Sequence, residues 1–134
     1  MLTASELVER AFAAYASGDI AGMLELVDAD LEWTYLDPAL AYPRPKACHG
    51  RDELEGVLTH LAEHGTRFLV GEVRARGNKV MAELRVPVHS HDPELLEVED
   101  RWNVVTAEGG RIVKLRDFRT RLGALRFLNR DADA

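Results

Sequence analysis

The chain has 134 residues, 46% of them hydrophobic, and a formal net charge of −6. This length and composition predict one globular domain, residues 1–134, with residues 129–134 as a frayed tail. The negative charge excludes a dedicated nucleic-acid-binding protein, because such proteins need a basic surface to displace counterions from phosphate.

Cysteine use and hydropathy predict where the protein works. Cys48 is the only cysteine, so there is no disulfide framework, and a reducing compartment is expected. The N-terminal stretch MLTASELVER lacks the apolar core of a signal peptide, and no apolar run approaches the length of a membrane span. We expect a cytoplasmic protein that does not contact membranes.

The first half of the chain predicts three helices and one strand. Thr3 and Glu6 have capping-box spacing ahead of an apolar helical face, and Asp19 can cap a short second helix. An aromatic, alternating strand follows at residues 31–36, and a third helix at residues 51–63. The intervening residues 37–49 are rich in proline and predict an ordered loop.

The second half is predicted to be β-structure. Strands are expected at residues 66–76, 80–88, 95–106 and 111–121, separated by turn signals such as Gly77-Asn78. A helical turn at residues 122–128 closes the pattern. Helices followed by a run of strands indicate an α+β domain, with the helices on one face of a curved, mostly antiparallel sheet.

Three segments in this order resemble the NTF2-like superfamily, in its SnoaL-like and ketosteroid-isomerase-like branch: AYASGDIAGMLELVDADLEW, HGRDELEGVL and GGRIVKLRDFRT. The resemblance covers nearly the whole chain. It implies a cone-shaped fold in which three helices from the N-terminal half and the curved sheet enclose a cavity. It also implies a homodimer through the outer sheet face. The fold hosts isomerases, cyclases, hydrolases and non-catalytic binders, so it does not by itself give the activity.

Strand alternation makes a specific prediction for the last two strands. If the turn is at residues 108–109, Asp100 pairs with Asp117; if it is one residue later, Asp100 pairs with Arg119 and Trp102 with Asp117. Both registers place Asp100, Asp117 and Arg119 on one face. The resemblance implies that this face lines the cavity.

Two carboxyl groups in an apolar cavity predict acid–base chemistry. They do not ionise together cheaply, so one is expected to stay protonated as an acid beside a carboxylate base. Arg119 then either stabilises an oxyanion or forms a structural ion pair with one acid. By the resemblance, Tyr35 stands near the base of the isomerase branch and would donate a hydrogen bond. The predicted catalytic residues are Asp100, Asp117, Arg119 and Tyr35.

The resemblance also suggests the cavity walls, with predicted substrate-binding residues Trp33, Trp102, Tyr15 and Leu115. Tyr15 lies one helical turn beyond Ala11, the position matching the oxyanion-binding tyrosine of the isomerase branch, which disfavours steroid isomerisation. The epoxide-hydrolase-like arrangement needs an arginine two residues before the fourth-strand acid, where this chain has Val98.

Two classes of function stay open. The first is a cofactor-free isomerase, cyclase or hydrolase acting by acid–base catalysis on a hydrophobic carbonyl compound. The second is a non-catalytic ligand-binding or accessory dimerisation domain with the same fold. No cofactor or metal is expected, because the helical pair His60 and His64 has no evident third ligand.

Overall fold

A computed structural model describes residues 2–36, 45–63, 69–88 and 97–130, apart from the side chains of residues 35–36, 45–46, 86–88 and 97–99. Helices α1 (Ala4–Ala16) and α2 (Ile20–Leu24) lead into strands β1 (Val27–Leu36) and β2 (Pro45–His49). Helix α3 (Gly50–Glu63) is followed by β3 (Leu69–Arg76), β4 (Lys79–Val88), β5 (Glu97–Glu108), β6 (Arg111–Phe118) and α4 (Arg121–Leu128).

The six strands form one sheet in the order β2-β1-β6-β5-β4-β3. Only the β1–β6 pair is parallel, and every other neighbouring pair is antiparallel. The α+β prediction with a mostly antiparallel sheet is therefore confirmed. One element was missed, since β2 lies within residues 37–49, which were predicted to be a loop.

The N-terminal helices cover one face of the sheet, called here the cavity face. The predicted capping box is present: Glu6 N donates to Thr3 Oγ1 (3.2 Å) and Thr3 N donates to Glu6 Oε1 (3.1 Å). These bonds satisfy two orphan donors at the start of α1. The buried α1 residues Leu7 and Val8 then pack in the main core with Leu54 and Leu58 of α3.

Helix α4 covers part of the opposite face, called here the outer face. A second hydrophobic cluster joins Met81, Trp102 and Val104 of the sheet to Ala124 and Leu128 of α4. The outer face is the one through which dimerisation was predicted. Part of it is thus already occupied within the chain.

The end of α4 is tied to the sheet. Arg76 Nη1 donates to Asn129 Oδ1 (2.8 Å), so the chain is held beyond the last helical residue. The rest of the predicted frayed tail, residues 131–134, lies outside the described residues.

Candidate functional site

A turn and a bulge decide which side chains of the β5–β6 hairpin face the helices. Gly109 and Gly110 have φ of 60° and 77°, as a two-residue hairpin turn requires, and Glu108 pairs with Arg111. The register then shifts: Ala107 pairs with Ile112, but Thr106 pairs with Lys114. Val113 is the extra residue of a β-bulge.

Compared with the register predicted for a turn at residues 109–110, the bulge shifts the pairing by one residue. Asp117 pairs with Asn103, and Phe118 pairs with Trp102. Because side chains alternate with period two, a one-residue shift moves Asp117 to the face opposite Asp100. The prediction that Asp100 and Asp117 share a face is therefore wrong; both turn positions considered from the sequence assumed an unbulged hairpin.

A cavity of about 60 Å³ lies between the cavity face of the sheet and helices α1 and α3. Its described lining is hydrophobic except for the polar groups of five residues, Tyr15, Trp33, Arg101, Asn103 and Asp117. Leu115 lies in the wall beside them. The structure therefore brings together four residues named from the sequence: Asp117, Trp33, Tyr15 and Leu115.

Asp117 is held by two side-chain donors from neighbouring strands. Trp33 Nε1 donates to Asp117 Oδ1 (3.1 Å), and Asn103 Nδ2 donates to the same oxygen (2.6 Å). Trp33 reaches it because β1 runs parallel to β6 with Trp33 opposite Leu115. Both hydrogen bonds favour the ionised carboxylate and fix its direction.

Asn103 also offers an acceptor. The residue is only 4% exposed, and none of the residues that the structure describes donates to its Oδ1. Buried polar atoms in folded proteins nearly always have a partner, so this oxygen is suited to a donor on a bound molecule or a water.

Arg101 adds a buried positive charge to the same wall. It is 5% exposed and lies two residues before Asn103 on the cavity face. The epoxide-hydrolase-like arrangement has an arginine two residues before an acid on this strand. Arg101 and Asn103 have that spacing, but Asn103 is an amide. The cavity therefore contains one acid (Asp117), one amide and one arginine, where that arrangement has two acids and one arginine.

Burial raises the pKa of Tyr15. Its hydroxyl consequently stays protonated at neutral pH and acts as a hydrogen-bond donor or acceptor, not as a phenolate. This agrees with a wall or binding role for Tyr15.

Asp100 and Trp102, predicted to line the cavity, lie on the outer face. Trp102 packs beneath α4 in the second hydrophobic cluster. The Asp100 side chain is 48% exposed and lies 3.9 Å from Arg85 Nε. Its pKa is raised by partial desolvation and by a hydrogen bond and charge repulsion from Glu83, while Arg85 opposes the shift.

Of the other two predicted catalytic residues, the structure places Arg119 and leaves Tyr35 untested. Strand β6 ends at Phe118, so Arg119 lies beyond it, where it is exposed and is not part of the described cavity lining. The backbone of Tyr35 belongs to β1, but its side chain lies outside the described residues.

Sequence reasoning missed Arg101 and Asn103, although one signal could have found them. The segment LGALRFL at residues 122–128 is amphipathic and needs an apolar partner surface. The alternate residues Trp102, Val104 and Phe118 supply that surface. If these residues face α4, the alternate residues Arg101 and Asn103 of the same strand must face the cavity.

The remaining candidates give no site. Within the described ranges, no three histidine, cysteine or acidic side chains are placed to hold a metal ion. Cys48 is buried, and burial with the nearby Glu53 raises its pKa, which opposes a reactive thiolate. No helix within the described residues is long and apolar enough to cross a membrane.

Solved structures with the same fold define the class to which this arrangement belongs. An NTF2-like protein of unknown function from Burkholderia pseudomallei superposes with a TM-score of 0.72 at 20% identity, over 97% of this chain and 100% of that one. TerC co-crystallised with polyporic acid gives a TM-score of 0.71 at 20% identity, with 93% and 96% covered. A structure from Xanthomonas campestris, described as that of a candidate polyketide cyclase, gives 0.67 at 19% identity, with 93% and 95% covered. The fold is NTF2-like.

The sequence itself identifies the family within that class. Residues 8–115 match the model of the SnoaL-like domain, and the chain belongs to this family. A comparison with curated proteins finds no significant match.

Proposed function

We propose that the protein binds the carbonyl end of a small compound in the cavity and moves a proton on it with Asp117, without a cofactor, as an isomerase or cyclase does. The observation that carries the proposal is the pair of hydrogen bonds from Trp33 Nε1 and Asn103 Nδ2 to Asp117 Oδ1 on the wall of an apolar cavity. The candidate polyketide cyclases among its structural neighbours support the same class of reaction.

The proposed step keeps the charge of the cavity constant. The Asp117 carboxylate takes a proton from the carbon beside the substrate carbonyl and becomes neutral, while the substrate becomes an enolate. Arg101, whose guanidinium stays charged, stabilises the enolate oxygen. In an isomerase, Asp117 then returns the proton at another carbon. In a cyclase, the enolate carbon attacks a second carbonyl of the same substrate, the carbon–oxygen π bond of that carbonyl opens to an alkoxide, and Asp117 gives its proton to the alkoxide oxygen.

A single acid favours these outcomes over hydrolysis. Opening an epoxide with water uses one group to activate the water and another to protonate the leaving oxygen. Asn103 occupies the position where a second acid would stand, and an amide neither gives nor takes a proton in this way. A reaction that returns the proton it removed needs only Asp117.

The test uses 5-nitrobenzisoxazole, a flat apolar compound whose ring opens when a base removes one carbon-bound proton. We expect Asp117→Asn to lower the rate by about 100-fold or more, the usual contribution of a positioned base. The matched control is Asp100→Asn, an acid of the same hairpin on the outer face, which should leave the rate unchanged. Equal rates for wild type and Asp117→Asn would contradict the proposal.

A non-catalytic binder is the second candidate, and the same two hydrogen bonds favour it. Donors that stabilise the carboxylate also reduce its basicity. In that case Asp117 accepts a hydrogen bond from the ligand, and binding is weakened by Asp117→Asn although no wild-type turnover is seen.

The predicted homodimer and the cytoplasmic location belong to this proposal as well. A dimer through the sheet would use the part of the outer face that α4 leaves uncovered, near Arg85 and Asp100. Sedimentation of the purified protein checks the dimer, and fractionation of the producing cells checks the location.

A further inference from the structure

A second space lies next to the cavity, between α1 and the edge strand β3. It measures about 490 Å³, and its described lining comes from α1 and from Val70 and Val73 of β3. We call it the α1–β3 groove. The cavity of about 60 Å³ is far smaller than the roughly 300–1,000 Å³ typical of small-molecule sites, whereas the groove lies within that range.

The groove and the cavity are continuous along one face of α1. Val8, Phe12 and Tyr15 line both spaces. These residues are four and three positions apart, so they form one stripe on the helix. A molecule lying in the groove therefore touches the same side chains as one that reaches towards Asp117.

A β-bulge turns the floor of the groove towards the helices. Val70 pairs with Leu84, but Val73 pairs with Ala82, so Gly71 and Glu72 together oppose Glu83. Without this extra residue, Val70 and Val73 would point to opposite faces, because they are three positions apart.

The bulge is fixed by a specific contact. Glu72 N donates to Glu83 Oε1 (3.1 Å), and a Cβ atom at residue 71 would collide with the Glu83 carboxylate. A larger residue at position 71 would therefore displace the Glu83 carboxylate from its present position. The result is that two β-branched side chains are held in the groove while 45% and 47% exposed.

We propose that the α1–β3 groove binds the apolar chain or ring of an elongated substrate whose carbonyl end lies at Asp117 and Arg101. The inference deepens the proposed function and rests on it for the position of the polar end. Glu9 is the one charged residue in the described lining of the groove, so the part of the substrate held there carries no negative charge. The substrate class is thus an amphiphilic carbonyl compound with one polar end.

The test measures the affinity of straight-chain methyl ketones, from 2-pentanone to 2-decanone. The readout is the indole N–H resonance of Trp33, which lies in the cavity; Trp102, on the outer face, is the internal reference. In the wild type, each added methylene should tighten binding by about threefold to fourfold, as expected for burial of one such group. An affinity independent of chain length overturns the inference.

Variants then locate the apolar part of the ligand. Val70→Asp with Val73→Asp should remove the dependence on chain length, and the near-isosteric Val73→Thr should reduce it without disturbing the strand. Leu69→Asp is the matched control, since Leu69 is 69% exposed and pairs with Arg85 on the outer face of the same strand. We expect this control to keep the wild-type dependence.

The outcomes separate this inference from the proposed function. Chain-length dependence that persists in Asp117→Asn, with no proton transfer in the wild type, supports the groove and contradicts catalysis. Proton transfer by the wild type without chain-length dependence supports catalysis by Asp117 and contradicts binding in the groove. A wild-type dimer that Val70→Asp with Val73→Asp dissociates, with ketone binding unchanged, shows that the groove meets a second copy and overturns the inference.

Discussion

The two faces of the β5–β6 hairpin carry one aspartate each, and their surroundings differ in almost every respect. Asp117 lies on the wall of an apolar cavity and accepts hydrogen bonds from Trp33 and Asn103. Asp100 lies on the outer face, half exposed, near Arg85 and Glu83. The comparison shows that the site depends on strand register, because residue type and approximate position do not distinguish the two acids.

Each face of the sheet also holds one tryptophan, and the two have different roles. Trp33 contributes a hydrogen bond to Asp117, whereas Trp102 fills the space under α4. Changes at one face should therefore affect binding or chemistry, and changes at the other should affect stability.

The β-bulge is tested by deleting Val113. Deletion would remove the extra residue, so that the pair Thr106–Lys114 directly follows Ala107–Ile112, and Leu115 and Asp117 would stay on the cavity face. We expect the free energy of unfolding to fall by only about 1–2 kcal/mol, since the pairs on both sides of the bulge are kept. Urea denaturation followed by circular dichroism measures it.

The control for this deletion is Val113→Ala, which keeps the chain length and the bulge. Its cost should be about 1 kcal/mol, the ordinary cost of a point substitution. A deletion variant that loses far more stability than Val113→Ala would show that Val113 is not the extra residue of the strand.

A comparison of the tryptophans should give the largest effect on stability. Trp102→Ala should lower the free energy of unfolding by about 3–5 kcal/mol because it empties part of a packed cluster. Trp33→Phe keeps most of the packing and loses one hydrogen bond, so about 1 kcal/mol is expected. Thermal unfolding of both variants measures the losses of stability, and the 5-nitrobenzisoxazole rate of Trp33→Phe measures the effect on the site. A smaller loss of stability for Trp102→Ala than for Trp33→Phe would contradict the different roles of the two tryptophans.

Much of the fold was predictable because local signals and the global pattern agree. The capping box at Thr3 and the helical periodicity of α1 and α3 lie where the sequence places them, and the turn at Gly109-Gly110 is one of the two positions that the sequence allows. The resemblance to the SnoaL-like branch supplied the cavity and is confirmed at the level of the family.

The composition of the site was predictable only in part. Trp33, Tyr15, Leu115 and Asp117 reach the cavity, but Arg101 and Asn103 were missed, and Asp100 and Trp102 were predicted for the wrong face. A bulge adds one residue without a strong composition signal: Val113 is a good strand former, and nothing in its identity marks it as unpaired. Beyond the bulge, every side chain assigned to a face by simple alternation is therefore assigned to the wrong one.

The smallest expected effect concerns pH and Asp100. Because its folded-state pKa is raised, the folded protein binds this proton more tightly than the unfolded chain, and the resulting stabilisation is lost as pH rises through the raised pKa. Asp100→Asn should therefore gain stability relative to wild type between about pH 4 and pH 7, by less than about 1 kcal/mol for so exposed a group. Urea midpoints at both pH values measure it; a relative loss would show that Arg85 outweighs Glu83.

The assignment of the two faces is tested most directly by the indole N–H resonances of the two tryptophans. Asp117→Asn should shift the Trp33 resonance, because its hydrogen-bond acceptor changes from a carboxylate to an amide, and leave that of Trp102 in place. Asp100→Asn should leave the Trp33 resonance unchanged. A Trp33 resonance that responds to Asp100→Asn and ignores Asp117→Asn would contradict the register on which the proposed site depends.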